Sequence, residues 1–385
     1  MLRFERIYDV VEEVEQYRAG GYHPVHLKDT FHQRYQVVGK WAYGQFSIVW
    51  LAKDTRLYSP TLLPYYTRDY QTDARLSRLQ KYVTLKILKA DASRESQELP
   101  ILLHLSKANT NHPGRNSVLQ LLDHFEHRGP NGLHLCLVFP VMLSDGNKMT
   151  IEEKPRHSNY VREISKQILQ GLDFIHDQGL IHGDLHPANI LFTVNSDSPE
   201  EMLIEPELAY VHWRPGVEVD NSAPRYLVTS QRPDGMLDNT AFSELTVRVG
   251  DLGGAIWNTQ HDVDPVTPLV LQAPELLQPH SRHQKADIWA FGCLIFQLST
   301  NEPLFPAESF GCTSDESREM LLSRMYTLFE NGIQGFAMYL GERIPNNFGQ
   351  DNSEKLVDFL WSALQEHAED RKSTTDLLNH PFLVG

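Results

Sequence analysis

Within Ile181 to Phe192, IHGDLHPANILF, an aspartate and an asparagine stand five residues apart behind a histidine. That spacing suits phosphoryl transfer, in which a carboxylate orients or deprotonates the attacking hydroxyl and a neutral amide oxygen serves a Mg²⁺ ion held on phosphate oxygens. Asp184 and Asn189 are the candidates for those two tasks. His182 reads as structural, a neutral imidazole tying backbone to backbone. Further on, Val247 to Ile256 reads VRVGDLGGAI, a strand ending in a carboxylate with glycine behind it, so Asp251 is a candidate metal ligand. Asp-x-Gly alone is also a common turn former. Lys86 lies inside VTLKIL, where an ammonium is costly to bury unless a carboxylate or phosphate meets it. Glu98 is the expected partner and Glu95 the alternative; for Lys86 taken alone, an edge-strand lysine reaching solvent is an equally open reading. The segment Trp41 to Val49, WAYGQFSIV, could lay backbone N–H groups over phosphates if small residues permit close approach. Only Gly44 is a glycine there; Ala42 and Ser47 stand where a GxGxxGxV loop has its first and third glycines. Val49 and Leu137 to Val141, with Phe139 at the back, would wall an adenine ring, the competing reading being plain core.

These residues need elements to position them. Tyr35 to Leu51 has two β-branched and aromatic runs around a small-residue turn, a hairpin pattern, and Tyr82 to Leu88 reads as a strand. Ser93 to Leu105 looks helical, and Val118 to Phe125 and Leu133 to Val141 read as a further strand pair. After Asp145 the apolar period lengthens to that of a helix, with Val161, Ile164, Ile168, Leu169, Leu172 and Ile175 on one face. Three more helical patterns follow at 287–300, 316–331 and 353–365. Ile7, Val10, Val11 and Val14 predict a short amphipathic helix before Gly20-Gly21. The resulting fold class is α+β: an N-terminal extension over 1–34, a β-rich region over 35–141 and a helix-rich region over 142–385. Residues 54–80 and 195–245 lack a sustained period and read as insertions, the second partly disordered.

The chain has 385 residues, 41% of them hydrophobic and 22% charged, a globular composition that excludes collagen, coiled coil and wholesale disorder. Lys+Arg 35 against Asp+Glu 50 gives a net charge of −15, which disfavours direct nucleic-acid binding and favours a cationic partner. Cys136, Cys293 and Cys312 are far apart and match no zinc or disulfide pattern, which suggests a reducing compartment. No run approaches the ~18–20 apolar residues of a membrane span, so a soluble intracellular protein without membrane contact is expected.

In order, the small-residue hairpin, Lys86, Glu98, HGDLHPAN, DLG, Ala273-Pro274-Glu275, DIWAFG from Asp287 to Gly292, and Arg371 before HPF resemble the eukaryotic protein kinases. The entry, GGYHPVHLKDTFHQRYQVVGKWAYGQFSIVWLAKD, is similar to that of the SR-protein kinases, as are LLDHFEHRGPNGLHLCLVFPV and the long insert before DLG; the likeness runs over residues 17 to 384, and within that family the sequence resembles the divergent, compact members of fungi. The resemblance implies a bilobal kinase fold, small β-rich lobe first, with ATP and Mg²⁺ as cofactors. It implies Lys86 on the α- and β-phosphates with Glu98 as its ion-pair partner, Asp184 as catalytic base, and Asn189 and Asp251 on Mg²⁺. Ala42, Gly44, Ser47, Val49, Phe139 and Val141 would contact the nucleotide, Glu275 and Arg371 would form a buried ion pair, and Asp287 would brace the catalytic loop. The implied substrates are serines in arginine/serine-rich proteins, and the implied enzyme is a monomer in cytoplasm and nucleus.

Several positions depart from that pattern. His186 replaces a lysine two residues after the catalytic aspartate, a poorer γ-phosphate contact whose charge depends on pH. Gly183 replaces an arginine that answers activation-loop phosphorylation, and Leu271 and Gln272 precede APE where tyrosine and arginine are usual. Thr267 is the candidate for a threonine beside the catalytic loop, one residue further from Ala273 than the pattern has it. Two alternatives follow: a pseudokinase scaffold that binds nucleotide without efficient transfer, and a small-molecule kinase, whose catalytic loop HGDLHPANIL also resembles.

Overall fold

The computed structural model describes residues 2–8, 10–58, 82–108, 111–149, 157–194, 203–232, 235, 237, 240–260, 265–277, 283–306 and 313–384. The chain gathers into two compact units, one of Met1–Leu99, Gln120–Leu143 and Val194–Met236, the other of Pro100–Leu119, Ser144–Thr193 and Leu237–Gly385.

The first unit rests on an antiparallel sheet of β1 (Thr30–Phe31), β2 (Tyr35–Tyr43), β3 (Ser47–Asp54), β4 (Tyr82–Leu88), β5 (Asp123–Gly129) and β6 (Gly132–Pro140), in the order β1-β2-β3-β4-β6-β5. Leu and Val are the commonest residues of these strands, joined by Ile, Tyr, Trp and Phe, apolar side chains that pack well on a pleated surface. Alternation separates the two faces. Ile48, Trp50, Val83, Leu85, Ile87, Cys136 and Val138 enter one buried apolar cluster. Ser47, Val49, Lys86, Leu137 and Phe139 alternate with them and therefore take the opposite face.

The second unit is mainly helical. In the helix Ser158–Asp177 the six apolar residues that predict it are all buried. The helix Gln284–Thr300 is buried almost all round, consistent with its apolar sequence. Ser314–Phe329, Gly332–Gly341 and Gln350–Ala363 follow. Short strands carry the loops between them: β7 (Ser144–Asp145), β9 (Ile190–Thr193) and β12 (Thr246–Val249) form one small sheet, and β8 (Leu180–Ile181) and β13 (Ile256–Trp257) another. In the first unit β10 (Leu208–Tyr210) pairs with β11 (Tyr226–Val228). The α+β class expected from the sequence is thus the one observed.

Four local expectations change. The N-terminal run forms only a 3₁₀ turn at Val14–Gln16, because its carboxylates are spent on tertiary partners: Glu15 accepts from the Arg3 and Phe4 amides, and Glu12 meets Lys40 and the Tyr17 hydroxyl. The strand expected from Val118 starts at Asp123, since Leu119 donates its N–H to Val249 of the second unit and Val118 bridges the same residue. The helix expected over 93–105 is two pieces, Ala90–Arg94 and Glu98–Lys107. Residues 203–232 of the second insertion are ordered and belong to the first unit. Their β10–β11 hairpin is flanked by Trp213, whose ring lies 4.5 Å from that of Phe4, and Gln231 donates its N–H to the Lys40 carbonyl. Residues 59–80 of the first insertion lie outside the described residues.

One cluster in the first unit sets an acid limit. The His23 ring lies 4.5 Å from His127 and 5.1 Å from His134. Burial, with the neighbouring imidazoles, pushes His23 down to about 3, and burial lowers His127 and His134 as well. The folded state thus binds these protons less readily than the unfolded chain, so the stability it gains is complete above the ordinary histidine pKa and is lost as pH falls below it. Thermal unfolding followed from pH 7.5 to 5.5 should show a falling Tm, and His23→Gln should flatten that slope; an identical slope in the variant would contradict the assignment.

Candidate active site

Lys86 sits in the middle of β4, directly opposite Val49 on β3 and Leu137 on β6. Its Nζ lies 2.8 and 2.9 Å from the two Glu98 carboxylate oxygens. Glu98 opens the helix Glu98–Lys107 and is 2% exposed, whereas Glu95 lies on the surface, so the choice between the two glutamates falls to Glu98. A buried pair of this kind is held by mutual charge and geometry, and either member alone would be an uncompensated ion. On the same face, Val49 is half-buried and Phe139, opposite Thr84, is buried; Val141 follows just beyond β6. At the hairpin tip Gly44 donates its N–H to the Ser47 carbonyl at 2.9 Å, and a Cβ on Gly44 would meet only open space. Ala42 pairs with Val49, placing Ala42, Gly44, Ser47 and Val49 on one short hairpin.

In the second unit the candidate catalytic-loop residues follow β8. Asp287, projecting from the helix Gln284–Thr300, is fully buried. Its Oδ2 accepts the His182 N–H at 2.8 Å and its Oδ1 the Gly183 N–H at 2.9 Å, while His176 Nε2 lies 2.9 Å from Oδ2. Burial alone would raise the Asp287 carboxyl; the His176 hydrogen bond, the histidine charges and the Gly183 amide hold it below the usual range. Thr267 Oγ1 donates to the Gly183 carbonyl at 2.6 Å, so the loop is fixed from both sides and Thr267 stands beside it despite its odd offset. His182 Nδ1 accepts the Asp184 N–H, leaving Nε2 to donate to the Gly250 carbonyl at 3.1 Å, the backbone-to-backbone tie expected of it.

Asn189 closes a 3₁₀ turn and donates its amide to the Asp184 carbonyl at 2.9 Å and to Asp184 Oδ2 at 3.4 Å. Strand β9 begins at the next residue and pairs with β12 through Ile190 and Val249, so Gly250 donates its N–H to the Asn189 carbonyl at 2.9 Å. That register sets Gly250 against Asn189, with Asp251 the next residue along. Asp251 has a left-handed φ of 53° and accepts the Gly253 N–H. The following turn approaches the loop closely, for a Cβ on Gly254 would lie 2.8 Å from the Asp184 Cβ. Burial raises the Asp184 carboxyl, with Asp251 adding to the rise, while His186 and His182 oppose it. His186 Nε2 is 3.8 Å from Asp184 Oδ2, and burial lowers its pKa against the pull of Asp184. Asn189 and Asp251 offer a neutral amide oxygen and a carboxylate, hard donors that suit Mg²⁺; the Asn189 amide nitrogen is turned to Asp184, leaving its oxygen as the group for a metal. His186, Pro187, Pro268, Leu271, Cys293 and Phe305 line a cleft of about 250 Å³ in this unit.

Away from the loop, Arg371 is 1% exposed and donates to both Glu275 oxygens at 2.7 Å, and to three backbone carbonyls. His176 is the site residue that sequence reading missed. Its signal was a histidine at the last turn of an otherwise apolar helical stripe.

A lysine–glutamate pair on a sheet face of the first unit, and an aspartate, asparagine and second aspartate around a braced loop of the second, are each arrangements of the protein-kinase type. The model of the protein kinase domain matches residues 73–204 and 236–383, and the chain belongs to that family. Among its relatives it is 27% identical to the serine/threonine-protein kinase SRPK of Physarum polycephalum, over 97% of this chain and 91% of that one. It is 26% identical to protein kinase dsk1 of Schizosaccharomyces pombe, over 81% and 69%, and 35% identical to serine/threonine-protein kinase spk-1 of Caenorhabditis elegans, over 97% and 50%. The chain is accordingly a protein serine/threonine kinase.

The Glu275–Arg371 pair gives a direct test. Glu275→Gln removes the carboxylate from a fully buried guanidinium and should cost about 3–5 kcal/mol, seen as a drop in Tm of several degrees; an unchanged Tm would show the pair to be dispensable.

Proposed function

We propose that this kinase transfers the γ-phosphate of ATP, with Mg²⁺, to serines in arginine/serine-rich proteins. In this reading Lys86, fixed by Glu98, neutralises the α- and β-phosphates, and Ala42, Gly44, Ser47, Val49, Phe139 and Val141 surround the nucleotide. Asp184 accepts the proton of the substrate hydroxyl, a task suited by the raised pKa that burial gives it. Asn189 and Asp251 would hold Mg²⁺, which when bound draws charge from the phosphate oxygens. The observation that supports the reading is the β9–β12 register, which sets Gly250, the residue before Asp251, against Asn189 at the end of the loop that bears Asp184.

The choice of substrate is supported by the names of the relatives and by the net charge of −15, which attracts an arginine-rich chain over long range. The same reading makes the enzyme a monomer of cytoplasm and nucleus that touches neither nucleic acid nor membrane directly. Half-buried His186 bears on rate. Burial lowers its pKa, against the pull of Asp184, so it offers the γ-phosphate less charge than a lysine would.

The test is Mg²⁺-dependent transfer of labelled γ-phosphate to an Arg-Ser repeat peptide. Asp184→Asn should lower the rate by about 10²–10⁴-fold, chelation of Mg²⁺ should abolish transfer, and His186→Lys should raise it. Nucleotide binding by the wild-type chain with no transfer to the peptide would overturn the proposal.

A further inference from the structure

The hairpin between β2 and β3 has one glycine where phosphate-covering loops usually have three, yet its tip is fixed from outside the hairpin. The Tyr22 hydroxyl donates to the Gly44 carbonyl at 2.6 Å, and the Lys89 N–H donates to the Phe46 carbonyl at 2.8 Å. The peptide unit is planar and trans, so anchoring the Gly44 carbonyl on Tyr22 turns the Gln45 N–H to the opposite side. The Gln45 N–H, on the side away from Tyr22, is the kind of backbone donor that can hold an anion.

Tyr22 is built in for this contact. It is 4% exposed, its ring lies 5.5 Å from that of Tyr17, and Lys89 Nζ sits 4.4 Å above it. Asn131 holds its carbonyl at 2.6 Å. The two glycines before it seat the segment against the start of the helix Ala90–Arg94: Asp91 and Ala90 donate their N–H groups to the Gly20 and Gly21 carbonyls at 2.8 and 3.1 Å. A Cβ on Gly20 would lie 2.1 Å from the Asp91 carboxylate, and Gly20 has φ +83°, so no other residue fits without strain. Burial, with the Glu12 and Glu13 charges, pushes the Tyr22 hydroxyl up to about 12, so at neutral pH it stays protonated and donates.

We infer that Tyr22 is a positioning residue for nucleotide binding, its hydroxyl pre-setting the Gly44–Gln45 peptide of a glycine-poor loop so that the Gln45 amide meets a phosphate. Residues 20–22 lie ahead of β1, outside the strands of the sheet, so a segment beyond the hairpin supplies order that the loop's own sequence lacks. The inference rests on the reading of this hairpin as the nucleotide loop, and the experiment separates the two.

The full chain is titrated with the fluorescent nucleotide N-methylanthraniloyl-ATP and Mg²⁺, and steady-state transfer to an Arg-Ser peptide is followed in parallel. Tyr22→Phe should raise both the nucleotide Kd and the KM for ATP by about three- to tenfold, the range of one hydrogen bond, with the KM for peptide unchanged. Amide exchange over residues 43–47 should quicken. Tyr17→Phe breaks a buried hydrogen bond to Glu12 at 2.5 Å without touching the loop; it should lower Tm but leave the nucleotide Kd within about twofold of wild type. A Tyr22→Phe protein with wild-type Kd and KM for ATP would overturn the inference while leaving the nucleotide loop in place. Equal weakening by Tyr17→Phe would overturn it too, by reducing the effect to stability. Failure of the wild-type chain to bind the probe, or binding undiminished in Lys86→Met, would remove the parent reading and this inference together.

Discussion

A single buried carboxylate sets the geometry of the catalytic loop. Asp287 has no solvent, and an ionised carboxylate in such a place is stable only if every oxygen is met by a donor. The donors are His176 from the helix Ser158–Asp177 and the N–H groups of His182 and Gly183. Meeting the charge therefore forces the loop backbone into one position against the helix Gln284–Thr300. Asp184 follows at the next residue, and Asn189 is tied back to it by its own amide. From there β9 runs into register with β12, which sets Gly250 against Asn189, with Asp251 the next residue along. Loop, metal-ligand candidates and base candidate thus share one origin.

The first unit shows the same principle with an ammonium. Lys86 tolerates a sheet interior because Glu98 meets it with both oxygens. Lys40, fully buried on β2, is met by Glu12 from the N-terminal segment, which the Tyr17 hydroxyl also holds. Burial lowers the Lys40 pKa and the Glu12 charge opposes that fall. Because breaking either pair would strand a charge, the extension ahead of β1 is a structural part of the unit, joined on its other side by the β10–β11 hairpin through Phe4 and Trp213.

The candidate site was legible in the sequence wherever its parts are local. Asp184 and Asn189 are fixed by five residues of spacing, Lys86 by its place in an apolar strand, and Asp251 by a strand end before glycine. The α+β class and the long helix followed from the change of period at Asp145. What stayed hidden depends on distant partners. The N-terminal run has helical spacing, but Glu12 and Glu15 find buried partners that a helix would withhold. The segment 203–232 has no sustained period of its own, because it is ordered by pairing with residues some two hundred positions away. His176 and Tyr22 act through single hydrogen bonds to other elements, and no spacing rule marks such residues.

The central claim is that the ionised Asp287 carboxylate, as an acceptor, holds the catalytic loop in its working form. Single-turnover transfer of the γ-phosphate by Asp287→Asn, measured beside nucleotide affinity in the same variant, tests it most directly. The account predicts transfer at least about tenfold slower, the loss of one charge-assisted hydrogen bond, with affinity little changed because Lys86 and the hairpin belong to the first unit. Transfer at the wild-type rate would show that the loop holds its geometry without Asp287, and would contradict the account.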